Sequence, residues 1–354
     1  MLSTGGSTRL ADLTTFRVGG PAGRLVAAES EADLIAAVRE ADAADEPLLV
    51  VGGGSNLLVG DAGFDGLVLQ DARRGIAATD SSACAGASVT IPAGQPWDDV
   101  VQRAVAEGWV GVEALSGIPG STGATPVQNV GAYGQQVSDV ISTVRVWDRD
   151  EERVRSLAFA DLAFGYRTSL LKRSLADFGP TPRYVVLDVT AQLRFGDLSA
   201  PVRYPELARR LGIDVGERAP AAEVREVVLE LRRGKGMVLD PEDHDTWSAG
   251  SFFTNPILST EDAARLPADA PRYPADDDGV KTSAAWLIER AGFARGYGLP
   301  GPAALSTKHT LALTNRGGAR AEDLLAIART VRDGVRAAFG VELVPEPVLV
   351  GCSL

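Results

Sequence analysis

The amino-acid sequence predicts an α+β protein of more than one domain. With 354 residues the chain is longer than one hydrophobic core ordinarily organises, so two or three domains are expected. Its first part alternates short apolar runs with amphipathic helical patterns, its middle carries two-residue alternation, and its last part returns to helical spacing. Hydrophobic residues make up 45% and charged residues 23%, a globular balance that argues against global disorder.

The elements follow in order. Ser30 is placed to cap a helix whose apolar face is Leu34, Ala37, Val38 and Ala41. Leu48–Val51 reads as a short buried strand and 66–69 as another, with the run GGGSN at 52–56 between them. A second helix starts near Pro96 and Trp97, with Val100, Val101, Ala104 and Val105 on one side, and proline suits its first turn. Apolar stretches at 144–147 and 154–157 flank a polar turn at 148–152, the pattern of a hairpin. Leu187, Val189, Ala191, Leu193 and Phe195 alternate with Asp188, Thr190, Gln192 and Arg194, which predicts a strand with one wet face. A Pro/Ala/Glu-rich stretch at 217–223 leads into a helix ending near Arg233. Further helices are expected at 283–291 and 322–339, the latter with Leu324, Ile327, Ala328, Val331 and Val335 at helical spacing. The run 268–278 reads as a surface loop, and VELVPEPVLVG closes the chain as a terminal strand.

Composition excludes several function classes. No run of about 18 apolar residues suggests a membrane span, and MLSTGGSTRLADLTTF lacks the basic and apolar regions of a signal peptide, so a cytoplasmic protein is expected. A net charge of -12 argues against general nucleic-acid binding. Cys84 and Cys352 form no CxxC pair, and His244 and His309 stand far apart, so no metal centre is expected.

Two glycine-rich loops carry the first chemistry: GGGSN at 52–56, directly after a strand, and GIPGSTGATPVQNVGAYG at 117–134. Glycines let backbone approach an anion closely, and a diphosphate held between two such loops is a natural reading. Neither loop fits the GxGxxG or Walker pattern, so a dinucleotide would be held by some other fold.

Six motifs then occur in sequence: TTFRVGGPA (14–22), VVGGGSNLLV (50–59), LSGIPGSTGATPVQNVGAYG (115–134), FGYRTSLLK (164–172), AGSFFTNP (249–256) and VPEPVLVG (344–351). Together they resemble the UDP-N-acetylenolpyruvoylglucosamine reductase family over nearly the whole chain. The resemblance implies a two-part FAD-binding module of the vanillyl-alcohol-oxidase type and a C-terminal α/β substrate-binding domain. The first part would span 1–72, with 341–354 returning to it, the second 73–240, and the substrate domain 241–340. It implies FAD as cofactor and NADPH as co-substrate, with reduction of an enolpyruvyl UDP-sugar as the reaction. Covalent attachment in the wider superfamily uses an early histidine; none precedes His244 here, so non-covalent FAD is expected.

The resemblance also assigns residues. FAD contacts fall on Gly52, Gly53, Gly54, Ser55 and Asn56, and on Gly117, Gly120, Ser121, Gly123, Asn129, Gly131, Ala132 and Tyr133. The catalytic arginine, serine and glutamate match Arg167, Ser251 and Glu346. Their chemistry suits the reaction: hydride reaches C3 of the enol ether, charge develops at C2 and the carboxylate, and the site needs a cation and a proton donor. Substrate contacts match Tyr204, on a mobile covering loop, with Lys235, Asn255, Tyr273 and Lys281. Each residue alone also suits a plain role: an exposed arginine, a capping serine, an edge carboxylate. The run 236–247 is longer than the family core and leaves its path open. Two rival readings are another flavin oxidase or dehydrogenase of the superfamily, and a non-catalytic UDP-sugar sensor; the joint presence of Arg167, Ser251 and Glu346 disfavours both.

Overall fold

Several helices begin where a serine side chain caps them. In the computed structural model, which describes residues 8–82, 86–275 and 278–354, the Ser30 hydroxyl accepts a hydrogen bond from the Asp33 amide and opens the helix Glu31–Ala43. Ser283 does the same for Ala284–Arg290 through the Trp286 amide. Pro96 differs slightly from expectation: it is the extended cap residue just before Trp97–Ala106, not part of its first turn. Ala221–Gly234 and Ala321–Phe339 lie where helical spacing put them, the second burying Leu324, Ala328, Val331 and Val335. Cys84 lies outside the described residues.

The chain divides into two compact units, one holding 22–54 and 65–238, the other 9–21, 55–64 and 239–354. The first contains a three-stranded sheet in the order Ala22–Ala28, Phe64–Asp71, Leu48–Val51, the last two parallel. It also contains an antiparallel sheet in the order Arg153–Ala158, Ile141–Asp148, Tyr184–Phe195, Gly86–Pro92, Ala77–Ser82, with Trp109–Val110 against the far end of Tyr184–Phe195. The expected hairpin is there in register, Trp147 opposite Val154 and Val144 opposite Leu157.

Tyr184–Phe195 corrects the expectation of one wet face. Pairing steps from Arg145 opposite Asp188 to Val146 opposite Val186, so Leu187 is bulged out of register. The bulge switches which face each parity serves. Val185 and Leu187 pack with Leu34, Val38 and Leu67, whereas Val186, Val189, Ala191 and Leu193 join the core under Trp97 and Val101. The strand's first half is therefore buried on both faces, Asp188 included, and Phe195 at its end is exposed.

The second unit is built around Phe16, Leu58, Phe252, Phe253, Leu287 and Leu324. The TTFRVGG segment threads into it: Asn315 Nδ2 donates to the Phe16 carbonyl at 2.9 Å, and Thr15 Oγ1 to the Ser248 carbonyl at 2.6 Å. The terminal strand is shorter than its sequence suggested. Its parallel ladder with Leu57–Val59 covers Val348–Val350, and Pro345 and Pro347 before it have no amide N–H to donate. A small sheet joins Ile257–Leu258, Val280–Lys281 and Tyr273–Pro274, so the run 268–278 is not wholly loop. The path through 236–247 is fixed by one short helical turn, His244–Thr246, whose buried Asp245 accepts hydrogen bonds from the Thr307 amide, the Thr307 hydroxyl and Arg316. Among the described residues no helix is long and apolar enough to cross a membrane, and no group of three or more His, Cys, Asp or Glu could hold a metal ion.

Candidate active site

The two glycine loops lie backbone against backbone in the first unit. A Cβ added to Gly53 would sit 2.7 Å from the Gly120 Cα, and one on Gly52 would overlap the Ser121 hydroxyl. Gly120 also holds φ 114°, open to glycine and strained for any other residue. The result is a close meeting of main chain beside the Ser121 hydroxyl, a cradle whose shape suits a diphosphate. Gly123 is closed off by the Ala93 methyl. The first loop continues through Ser55 into the second unit, where Asn56 Nδ2 donates to the Glu346 carbonyl at 3.3 Å and the Asn56 carbonyl accepts from the Val348 amide at 2.9 Å.

Arg167 is fastened to the second loop. Its Nη1 donates to the Asn129 carbonyl at 3.2 Å and its Nη2 to the Gly131 carbonyl at 2.8 Å, while its own carbonyl accepts from Lys172 Nζ at 3.0 Å. Asn129 returns the tie, Nδ2 donating to the Gly165 carbonyl at 3.1 Å. Three assigned residues, Asn129, Tyr133 and Arg167, hold φ of 48°, 48° and 53°. Side chains rarely adopt this backbone, which costs on the order of 1–3 kcal/mol and persists where surroundings impose it. Arg167 is thus a half-buried, fixed guanidinium, not a loose surface one. A guanidinium is always charged and its planar fork suits a carboxylate.

Tyr133, assigned to the cofactor, and Tyr204 and Lys235, assigned to the substrate, form one cluster. The Tyr133 and Tyr204 rings meet edge to face at 5.4 Å, and Lys235 Nζ stands 5.5 Å from the Tyr133 ring centre. Lys235 Nζ also pairs with Glu206 Oε2 at 2.6 Å. Burial pushes the Lys235 ammonium down, but Glu206 together with the Tyr133 and Tyr204 phenols outweighs it and the net direction is up. Burial raises the Tyr133 phenol. Arg232 lies close by: burial brings its guanidinium down to about 10, its Nη2 donates to the Met237 carbonyl at 2.7 Å, and its buried Nε has no hydrogen-bond partner among the described residues. Glu206 and Arg232 are members that sequence reasoning missed. YPEL puts Glu206 two residues past Tyr204 and RRGK puts Arg232 three before Lys235, but neither spacing says what the side chain meets.

Ser251 and Glu346 lie together in the second unit. The Phe252 amide donates to the Leu311 carbonyl at 2.7 Å, the Glu346 amide to the Phe252 carbonyl at 2.8 Å, and Phe253 bridges Pro345. Ser251 follows Gly250, at φ 74°, and precedes two fully buried rings, so the turn expected from AGSFF is held by its own aromatics. Thr15 secures the approach at Ser248, and the Arg17 guanidinium lies 3.9 Å over the Trp247 ring. Asn255 Oδ1 accepts from the Ala284 amide at 3.0 Å, and Tyr273 stands opposite Lys281 in the small sheet.

Comparison with known proteins adds family evidence. A family model described as an FAD binding domain matches residues 22–156, and one described as UDP-N-acetylenolpyruvoylglucosamine reductase, C-terminal domain, matches 240–350. A reductase of that name from Cutibacterium acnes is 54% identical over 355 residues, covering 100% of this chain and 92% of its own. One from Streptomyces coelicolor is 56% identical, covering 98% and 90%. Among solved structures, the UDP-N-acetylenolpyruvylglucosamine reductase of Thermus caldophilus aligns with a TM-score of 0.65 at 25% identity over 98% of each chain.

Proposed function

The chain belongs to the UDP-N-acetylenolpyruvoylglucosamine reductase family, and from that membership we infer that it reduces the enolpyruvyl group of UDP-N-acetylglucosamine enolpyruvate to give UDP-N-acetylmuramate, for peptidoglycan synthesis. The match along the whole chain, at more than half identity, carries the inference. FAD is the cofactor and NADPH the reductant. The enzyme acts in the cytoplasm on a small substrate, without nucleic acid or membrane insertion.

The cradle of Gly52, Gly53, Gly54, Gly117, Gly120, Ser121 and Gly123, with Ser55, Asn56, Asn129, Gly131, Ala132 and Tyr133, would hold the flavin non-covalently; the Gly53–Gly120 contact supports this. Bound FAD would supply the hydride-transfer chemistry. In this reading residues 1–72 with 341–354, and 73–240, serve the flavin, and 241–340 the substrate. The parallel pairing of Val348–Val350 with Leu57–Val59 favours that return of the chain.

Arg167 steadies the substrate carboxylate and the charge that develops on it. Ser251 delivers the proton to C2, and Glu346 acts beside it. Tyr204 and Lys235 receive the diphosphate, and Asn255, Tyr273 and Lys281 the rest of the UDP-sugar. The test is an anaerobic absorbance trace on the purified yellow protein. NADPH should bleach the flavin band and the enolpyruvyl UDP-sugar should restore it, and acid should release free FAD. Recovery with oxygen but not with the UDP-sugar would instead identify an oxidase.

A further inference from the structure

We propose that Glu206 stands in for the ligand: it occupies Lys235 as a carboxylate surrogate for the diphosphate and must leave when the diphosphate arrives. This rests on the reading of Lys235 as a diphosphate contact. Lys235 caps the end of Ala221–Gly234, and its amide is tied back to the Leu231 and Arg232 carbonyls. Its Nζ therefore has a fixed root, and it reaches Glu206 Oε2 at 2.6 Å with both side chains 31% exposed. An ion pair that wet is weak enough to exchange. Glu206 sits in the first turn of Pro205–Leu211, whose cap residue is Tyr204. The carboxylate that holds the lysine and the ring that packs on Tyr133 are thus one turn of one helix. Releasing the first loosens the second.

The charges agree. Lys235 and Arg232 bring two positive charges to the Tyr133 ring, and Glu206 returns one negative charge. Asp98, the acid felt by Arg232, is already engaged by Arg225 at 2.8 and 2.9 Å. A single carboxylate leaves this pocket of charge short, and a multiply charged diphosphate can outbid it. A ligand without that charge meets a lysine already satisfied.

The experiment is calorimetric titration of the flavin-loaded protein with UDP, for wild type, Glu206→Gln, Lys235→Met and the double variant. Glu206→Gln should tighten UDP binding about threefold to tenfold, the scale of one partly exposed pair. Glu206→Ala should act in the same direction, which guards against a local effect of the glutamine. The gain should vanish when Lys235 is already methionine, because then there is no pair to exchange. Unchanged or weaker UDP binding in both Glu206 variants overturns the proposal, since it makes Glu206 a support for Lys235. A gain that persists undiminished in the Lys235→Met background overturns it too. If Lys235→Met alone leaves UDP binding at the wild-type level, the reading of Lys235 fails, and the proposal with it.

Discussion

Arg167 and Ser251 are held by opposite means. In the first unit the backbone does the holding: Arg167, Asn129 and Tyr133 take positive φ, and the guanidinium is pinned by carbonyls of a glycine loop. In the second unit side chains do it: Ser251 is anchored by the buried rings of Phe252 and Phe253, which interlock with 344–346 through main-chain bonds. A strained loop fixes direction and leaves little tolerance for change in its own residues. A turn set on packed rings tolerates a change at the serine itself, because the rings carry the position. Substituting Ser251 should therefore report chemistry, whereas substituting residues of the glycine loops should report geometry.

The largest effect tests that contrast at the serine. Ser251→Ala should leave reduction of the flavin by NADPH near normal and slow its reoxidation by the enolpyruvyl UDP-sugar about 10²–10⁴-fold, the range for a lost general acid. Ser251→Cys should recover part of the rate. Anaerobic stopped flow separates the two half-reactions, and equal slowing of both would make Ser251 a structural residue of the turn. Next comes Arg167→Lys, expected to slow reoxidation by about 10²–10³-fold. An ammonium cannot span the Asn129 and Gly131 carbonyls and a carboxylate together. A reoxidation rate near wild type would remove the fork from the mechanism.

A smaller effect is expected at Gly53→Ala. The new methyl meets the Gly120 backbone at 2.7 Å, so one loop must move. FAD should bind roughly tenfold to a hundredfold more weakly, read as flavin lost on gel filtration, with activity recovering in excess FAD. Full flavin retention would show that the two loops can separate without harm to the cradle.

Legibility from sequence follows the same division. The helices Glu31–Ala43, Trp97–Ala106 and Ala321–Phe339 and the hairpin at 141–158 were readable because periodicity and caps are local signals. The bulge at Leu187 was not, since nothing in an alternating run marks where a second layer covers the other face. Motifs named Arg167, Ser251 and Glu346, but not that the Arg167 fork leans on carbonyls, nor that Thr15, more than two hundred residues away, braces Ser248. Glu206 was invisible for a related reason: a glutamate in a helix's first turn already has a sufficient local explanation in the helix dipole.

The smallest expected effect on catalysis lies at Asp148, and it separates the first unit's stability from its site. Asp148 is fully buried at the hairpin corner. Burial alone would raise its carboxyl, but hydrogen bonds from Arg183 and Arg155 prevail and hold it down at about 2. A carboxyl depressed from about 3.8 to about 2 stabilises the fold above pH 4, by roughly 2 kcal/mol, and the contribution is lost as pH falls through that window. Asp148→Asn should therefore lower Tm at pH 7 by several degrees, given about 2–4 °C per kcal/mol for units of this size. Because the asparagine does not titrate, the gap between wild type and variant should narrow steadily between pH 4 and pH 2. Both flavin half-reactions should stay near wild-type rates at 25 °C, since Arg183 and Arg155 spend their guanidinium groups on Asp148, Asp150 and Glu151 at the hairpin corner. A Tm gap that stays constant down to pH 2 would mean that Asp148 steadies the corner by contacts that do not depend on its charge, and no gap at pH 7 would mean that its ion pairs add no net stability.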